Sequence, residues 1–250
     1  MYIRAVHAES SLVVLRQLIR DNPLGLLTTA IQSKEHPLLQ SSHIPFVIDV
    51  DDESSETETG RLRGHLARMN PHSKAMIEEL SSHPEKGSVL EQDVLVIFTA
   101  QHHYVTPKFY TETKPATGKV VPTWNYAAAQ VYGRARIYFD SKSDETSAFL
   151  QMQITDLTRH SETSVMGYVG GEHPTDWKVT DAPDKYIELL RKSIIGIEID
   201  IDRLEGKFKM SQEMGKGDRE GVASGFGMLQ SDVAQQIGCI VKQRSDEKDQ

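Results

Sequence analysis

Val120 to Gly133 reads Val-Val-Pro-Thr-Trp-Asn-Tyr-Ala-Ala-Ala-Gln-Val-Tyr-Gly and sets one of only two tryptophans between a proline and an apolar, strand-like run. Pro122 fixes φ and lacks a donor, so it can stand only at a strand start or edge, which places Trp124, Asn125 and Tyr126 near a rim. An indole, an amide and a phenol at the mouth of a strand can hold a flat polar ligand by stacking and hydrogen bonding. Taken alone, the same residues also read as large packing groups, and packing is the commoner use.

A second group that could do chemistry is Arg61-Leu-Arg-Gly-His-Leu-Ala-Arg68, which alternates as a strand does and runs into Asn70-Pro71-His72-Ser73, a helix start that lets Ala75, Met76 and Leu80 face inward. Arg61, Arg63, His65 and Arg68 thereby come close in sequence to a helix N-terminus. Backbone N–H groups and the positive end of a helix dipole beside guanidinium groups make a phosphate site. Arginines on a solvent-facing strand are also commonly satisfied by water, so the residues alone leave both readings open. His102 and His103 follow the most strand-like run, Asp93 to Phe98, but adjacent strand residues point to opposite faces and no His-x-Glu or cysteine partner completes a metal site. No glycine-rich phosphate loop, Gly-x-Ser-x-Gly elbow or paired-carboxylate motif is present.

These groups need elements to position them. Ser10 or Ser11 can cap a helix carrying Leu12, Leu15, Leu18 and Ile19 that stops at Asn22-Pro23. Leu24 to Ile31 and Leu38 to Val50 form an expected hairpin, and Asp49 to Gly60, with six acidic residues and no basic one, reads as a solvated loop. Lys108 to Val121 reads as a loop feeding the Trp124 segment, and Gln130 to Phe139 as a strand with Val131, Ala135, Ile137 and Phe139 on its core face. Ser141 or Ser143 can cap a helix through Phe149, Met152 and Leu157; 165–178 is irregular; Asp184 to Lys192 is helical; Ser193 to Ile201 is a strand leading into Leu204 to Gln212. A short helix around Met228 to Ile240 and a charged, mobile tail end the chain. Strands interspersed with uneven helices point to a mainly antiparallel barrel with peripheral helices rather than a doubly wound sheet.

Composition limits the function classes. The 250 residues carry a formal net charge of -8, an overall field that repels a phosphate backbone and argues against direct DNA binding. A single cysteine, Cys239, allows no intrachain disulfide, and no apolar run reaches the ~20 residues a membrane span needs. The cytoplasm is the expected location.

Five separated blocks, in order, resemble one family. Asn22-Pro-Leu-Gly-Leu-Leu-Thr-Thr, Gly64-His-Leu-Ala-Arg-Met-Asn-Pro71, Val94 to Pro107, Val121-Pro-Thr-Trp-Asn-Tyr and Glu205-Gly-Lys-Phe-Lys-Met-Ser-Gln212 look like the PaiB family of FMN-binding split-barrel proteins. The resemblance implies a six-stranded, Greek-key type split β-barrel and a homodimer with FMN at the subunit interface. It implies a split-barrel domain over 1–225, with an acidic loop at 49–60 and a helical and irregular decoration at 141–192, followed by a C-terminal helix and mobile tail over 226–250. Carried over residue by residue, it puts the FMN phosphate beside His65, Arg68 and Asn70 and the isoalloxazine ring beside Ser42, His43 and Ile44. Trp124, Asn125 and Tyr126, from the partner subunit, would cover the ring, and Lys209, Ser211 and Gln212 would close the pocket. The family pattern continues Ser-Gln-Asn-Arg where this chain has Ser211-Gln212-Glu213-Met214-Gly215-Lys216, and 49–60 and 165–178 are longer than in a compact bacterial member.

With no evident side-chain acid, base or nucleophile, the family reading implies a flavin-dependent oxidoreductase or flavin carrier acting on a small redox substrate, since a flavin carries its own redox chemistry. Two alternatives stand beside it. One is a regulator of transcription or protease production without catalysis, as described for bacterial relatives. The other is a haem-binding or haem-degrading protein with His102, His103 or His173 as axial ligand.

Overall fold

The structure, a computed structural model, describes residues 1–249; Gln250, the end of the expected tail, lies outside the described residues. In chain order the elements are β1 (Ala8–Glu9), α1 (Leu12–Asp21), β2 (Leu24–Ala30), β3 (Leu39–Asp49), β4 (Arg61–Ala67), α2 (Pro71–Ser82) and β5 (Val94–Val105). They continue with α3 (Thr113–Thr117), β6 (Thr123–Tyr138), α4 (Asp144–His160), α5 (Asp184–Lys192), β7 (Ile194–Lys209), α6 (Lys216–Gly227) and α7 (Asp232–Lys248).

Strand pairing runs β1-β7-β4-β3-β2-β5-β6, and β6 also pairs with β7, so six strands close on one another and β1 adds to β7 outside the ring. Every pairing with a defined register is antiparallel. Because β5 returns to lie beside β2, the run β5-β2-β3-β4 is a Greek key, the architecture the family resemblance implies. Alternation along the strands sends Leu27, Ile44, Phe46, Leu62 and Val96 into the core. The closure depends on Gly133 of β6. A Cβ there would sit 2.0 Å from the Asp200 carbonyl oxygen of β7, a contact that only backbone displacement can relieve. Gly133→Ala is expected to destabilise the protein by at least ~2 kcal/mol, read from urea unfolding; an unchanged midpoint would mean that β6 and β7 do not approach this closely.

Contacts divide the chain into two units. One comprises 12–98 and 130–204. In it, Leu15, Leu18 and Ile19 of α1 are buried, and the helix stops before Pro23 as its spacing predicts. The Leu12 N–H is taken by the Glu56 carboxylate at 2.7 Å. The acidic 49–60 segment is more ordered than its composition suggests, because it wraps a buried cation of α1. Fully buried Arg16 donates to the carbonyls of Glu58, Glu53 (2.9 Å) and Ser55 (2.8 Å), and Arg20 pairs with Glu53 at 2.6 Å. Peptide carbonyls bind the guanidinium while most of the carboxylates face solvent, so charge composition carries no trace of the fit.

The other unit comprises 1–11, 99–129 and the chain from 205 onward. Its core is the pair α6 and α7, where Val222 and Phe226 meet Ala234, Ile237 and Val241, all buried. Two helices thus replace the one short helix expected after Gly215, and α7 continues to Lys248. Helix α6 is rich in glycine, which lowers its propensity and hides it from sequence reading. Packing explains the glycines: a Cβ on Gly221 would lie 2.2 Å from the Phe109 carbonyl oxygen, and one on Gly225 would lie 2.3 Å from the Phe109 ring.

Candidate ligand-binding site

The expected site residues fall into two sets, one in each unit. In the unit holding β3, Ser42 and His43 sit on opposite faces of the strand, and Ile44 is fully buried in the core. His43 is exposed, and its strand neighbour across the pair is Leu26 of β2. Behind Ser42 lies a residue the sequence reading did not single out. His72, one residue into α2 after Pro71, is 1% exposed, and its Nδ1 lies 3.0 Å from Ser42 Oγ while its Nε2 lies 2.8 Å from Thr29 Oγ1. The Thr29–His72–Ser42 chain ties β2, α2 and β3 together. Burial among neutral groups lowers the His72 pKa to about 4, so it is an uncharged hydrogen-bonding relay at neutral pH. Beside this chain on β3, Gln40 has a buried Nε2 with no hydrogen-bond partner among the described residues, a donor left for something else to satisfy. Thr28 and Ser41 share a further hydroxyl pair at 2.8 Å.

The structure gives the basic strand specific neighbours. Arg61 pairs with Glu198 (3.6 Å) and Asp200 (3.0 Å). Buried Arg63 grips Asp49 through Nε and Nη2 and reaches Asp156 at 3.0 Å. Asn70 caps α2, its Oδ1 accepting from the His72 N–H at 2.9 Å. His65 lines a cavity of about 320 Å³ with Leu157, Trp177 and Leu190; burial lowers its pKa, and its Nδ1 has no partner among the described residues. Arg68 donates to the carbonyls of Phe139 (2.6 Å) and Lys192 (3.2 Å). The spacing that predicted an anion site could not show these carboxylates and carbonyls, which arrive from distant parts of the chain.

In the other unit, β6 begins at Thr123, one residue after Pro122, and leaves the Trp124 ring 53% exposed. Two side chains of β5 flank it, His102 at 6.2 Å and Tyr104 at 6.1 Å between ring centroids. Lys209 steadies this corner by donating to Thr123 Oγ1 (2.7 Å) and the Trp124 carbonyl (3.0 Å). Tyr126 lies under the Lys207 ammonium at 5.3 Å from its ring centroid. Asn125 and Ser211 are buried and satisfy each other through two contacts of 3.2 Å, while Gln212 bonds Met210 N–H and Phe208 carbonyl at 2.6 Å each. These three hold the turn after β7, where Ser211 adopts a left-handed φ of 65°. Glu213, which stands where the family pattern has an amide, accepts from His7 at 2.9 Å and lies 3.7 Å from Lys209. Burial pushes its carboxyl up, but His7 and Lys209 outweigh burial and hold it below the ordinary range. His103 stacks edge-on to Phe226, and His173 sits in the glycine-rich loop with its N–H on the Gly170 carbonyl.

What these parts offer chemically is stacking and hydrogen bonding. One unit offers an exposed aromatic platform, the other a polar strand edge backed by a neutral imidazole. No group of three or more potential metal-ligating side chains occurs among the described residues, and no helix among them is long and apolar enough to cross a membrane.

Comparison with known proteins adds a family. The family described as "Putative FMN-binding domain" matches residues 1–203. The chain is 58% identical over 259 aligned positions to an uncharacterized protein of Aspergillus fumigatus, covering 100% of this chain and 99% of that protein. It is 61% identical over 254 positions to an uncharacterized protein of Emericella nidulans, with 100% and 99% covered. It is 24% identical over 217 positions to the protease synthase and sporulation protein PAI 2 of Bacillus subtilis, covering 87% of this chain and 83% of that protein.

Proposed function

Because the chain belongs to this FMN-binding domain family, matched over residues 1–203, we propose that it binds FMN at the interface of a homodimer and acts as a flavin-dependent oxidoreductase or flavin carrier. The observation that carries the reading is the exposed Trp124 platform flanked by His102 and Tyr104. An aromatic surface of this size left in water is the usual mark of a ligand or partner contact.

In this reading the β3 edge, Ser42, His43 and Ile44, lies along the ring of one flavin, and Trp124 and Tyr126 of the partner subunit cover it. The buried, unpartnered Gln40 amide suits the polar rim of such a ring. Leu24 and Leu39, 58% and 67% exposed at opposite ends of the β2–β3 ladder, give its solvent face apolar contacts for a second protomer. Asn125, Ser211 and Gln212 act through the turn they hold, and Lys209 through the Trp124 carbonyl. On the phosphate side, Arg68 supplies charge, Asn70 sets the α2 start, and neutral His65 offers a hydrogen bond. A bound flavin would supply hydride and single-electron transfer; the residues around it bind, orient and exclude water. A regulatory role without catalysis, suggested by the name of the Bacillus relative, is the weaker reading because a net charge of -8 disfavours direct contact with DNA.

Titrating the purified protein with FMN is expected to shift the flavin absorption bands saturably and to quench tryptophan fluorescence. Trp124→Ala is expected to weaken binding about ten-fold while leaving thermal stability unchanged. No saturable shift with a folded wild-type protein would sink the flavin reading. Anaerobic bleaching of the bound flavin by a nicotinamide donor would separate an oxidoreductase from a regulator.

A further inference from the structure

We propose that the cavity between β4, α4 and α5 binds a small aromatic carboxylic acid. It holds about 320 Å³ and lies wholly within the unit formed by 12–98 and 130–204. Ile154 and Leu157 of α4 form one wall, Ile187 and Leu190 of α5 another, and Trp177 and Val179, from the segment before α5, a third. Protein interiors contain few voids larger than a water molecule, and this apolar space falls at the small end of the ~300–1,000 Å³ range of ligand pockets.

Three observations carry the inference. The first is an unfinished helix contact. Ile187 and Leu190 share a face of α5 at the spacing an inward stripe requires, yet no residue of this helix is buried and Leu190 is 42% exposed. The helix covers a space and not a packed core. The second is His65. Alternation on β4 turns it away from buried Leu62 and Leu66, toward the side where Arg63 meets Asp156 of α4. Its Nδ1 is buried without a hydrogen-bond partner among the described residues, a polar atom that an occupant of the cavity would satisfy. Burial lowers its pKa, so at neutral pH it meets a ligand as a hydrogen-bonding group and not as a counter-ion. The third is charge. Arg191, near the end of α5, is the one ionised side chain of the lining among the described residues. Its Nη1 donates to the neutral Gln151 Oε1 at 3.0 Å, which aims the guanidinium and leaves its charge intact. A guanidinium binds a carboxylate through paired hydrogen bonds, whereas one cation in an apolar wall does not balance a phosphate dianion. Apolar walls with one aimed cation and one idle imidazole therefore select an apolar body with a single anionic head, and the Trp177 ring favours an aromatic body.

None of Ser42, His43, Trp124 or Tyr126 lines this cavity, so the inference goes beyond the flavin reading and the two can fail separately. The test uses para-fluorophenylacetate and its uncharged amide as probes, read by ¹⁹F line broadening, with circular dichroism melting as the check on folding. Wild type is expected to bind the acid saturably and about ten-fold more tightly than the amide, and Arg191→Gln to erase that difference. His65→Leu is expected to weaken both probes about ten-fold while melting no lower than wild type, because it replaces a buried polar atom that has no partner. Leu190→Trp, at the exposed mouth, is expected to block both probes with an unchanged melting point, which keeps the inference testable should His65→Leu fail to fold. FMN that binds without displacing the acid leaves both sites standing. Acid binding by a protein that binds no FMN removes the flavin reading and leaves this one. Displacement of the acid by FMN would put the flavin in the cavity and overturn the separate site. So would the absence of saturable acid binding, equal binding of acid and amide by wild type, or unchanged acid binding in folded Arg191→Gln and Leu190→Trp.

Discussion

Arg63→Met is expected to remove about 3 to 4 kcal/mol from folding stability at neutral pH. The guanidinium lies in the barrel wall, its side chain 6% exposed, with Asp49 on one side and Asp156 of α4 on the other. Hydrogen bonding to Asp49, which accepts from the guanidinium, is the largest contribution raising the Arg63 pKa, outweighing the burial that works against its charge. Removing one member of a buried ionic group leaves the others uncompensated, which is why such losses exceed the net value of the group itself. The two carboxylates differ in how well they recover. Asp49 is 42% exposed and can rehydrate; Asp156 keeps Arg159 at 2.7 Å. The loss therefore falls at the lower end of the usual range. Asp156→Asn alone is expected to lose about 1 kcal/mol, because Arg63 retains its two bonds to Asp49. Urea unfolding of both variants checks the ranking, and an Arg63→Met loss below that of Asp156→Asn would show that the clamp is decorative.

The same arginine shows where sequence reading stops. Alternation in Arg61 to Arg68 gave the strand, and Asn70-Pro71 gave the helix start, because both signals lie within a few residues. What the arginines do was not legible, since Asp156 is 93 positions away and reaches Arg63 only once α4 is packed on the sheet. Pro122 likewise marked a strand start or edge with Trp124 near its rim, but the expected strand begins at Gln130 and β6 begins seven residues earlier, at Thr123. His72 had no signal beyond its place after Asn70-Pro71, and its importance comes from Thr29 and Ser42, on two strands it meets in space. Arg191 and Lys192 were read as the end of a helix, as they are; only the fold sets them beside Arg68. Local rules recover elements, and the polar partnerships that turn elements into sites are non-local.

His72 makes the β2–β3–α2 corner sensitive to acid. Its unfolded pKa of 6.5 falls to about 4 in the folded protein because burial opposes the imidazolium. Between these values the unfolded chain binds the proton and the folded chain does not, so stability rises with pH across the window. The contribution is fully present above pH 6.5 and is lost as pH falls toward about 4, amounting to about 3 kcal/mol for a shift of this size. Glu213 and Asp218, whose carboxyls the structure holds below their ordinary range, lose their stabilisation in more acidic solution, so the upper part of the window belongs to His72 and to His65, whose pKa burial also lowers. His72→Gln keeps an amide able to meet the hydroxyls of Thr29 and Ser42 but cannot titrate. It is expected to be less stable than wild type at pH 7 and to show a flatter dependence of unfolding free energy between pH 6.5 and 5. Parallel slopes for the two proteins would remove His72 as the source. Since Ser42 is one end of the relay and lies on the strand proposed to line the flavin, FMN affinity should fall in the same window in wild type and stay level in the variant. A loss of affinity without a loss of stability would place the titrating group on the ligand instead.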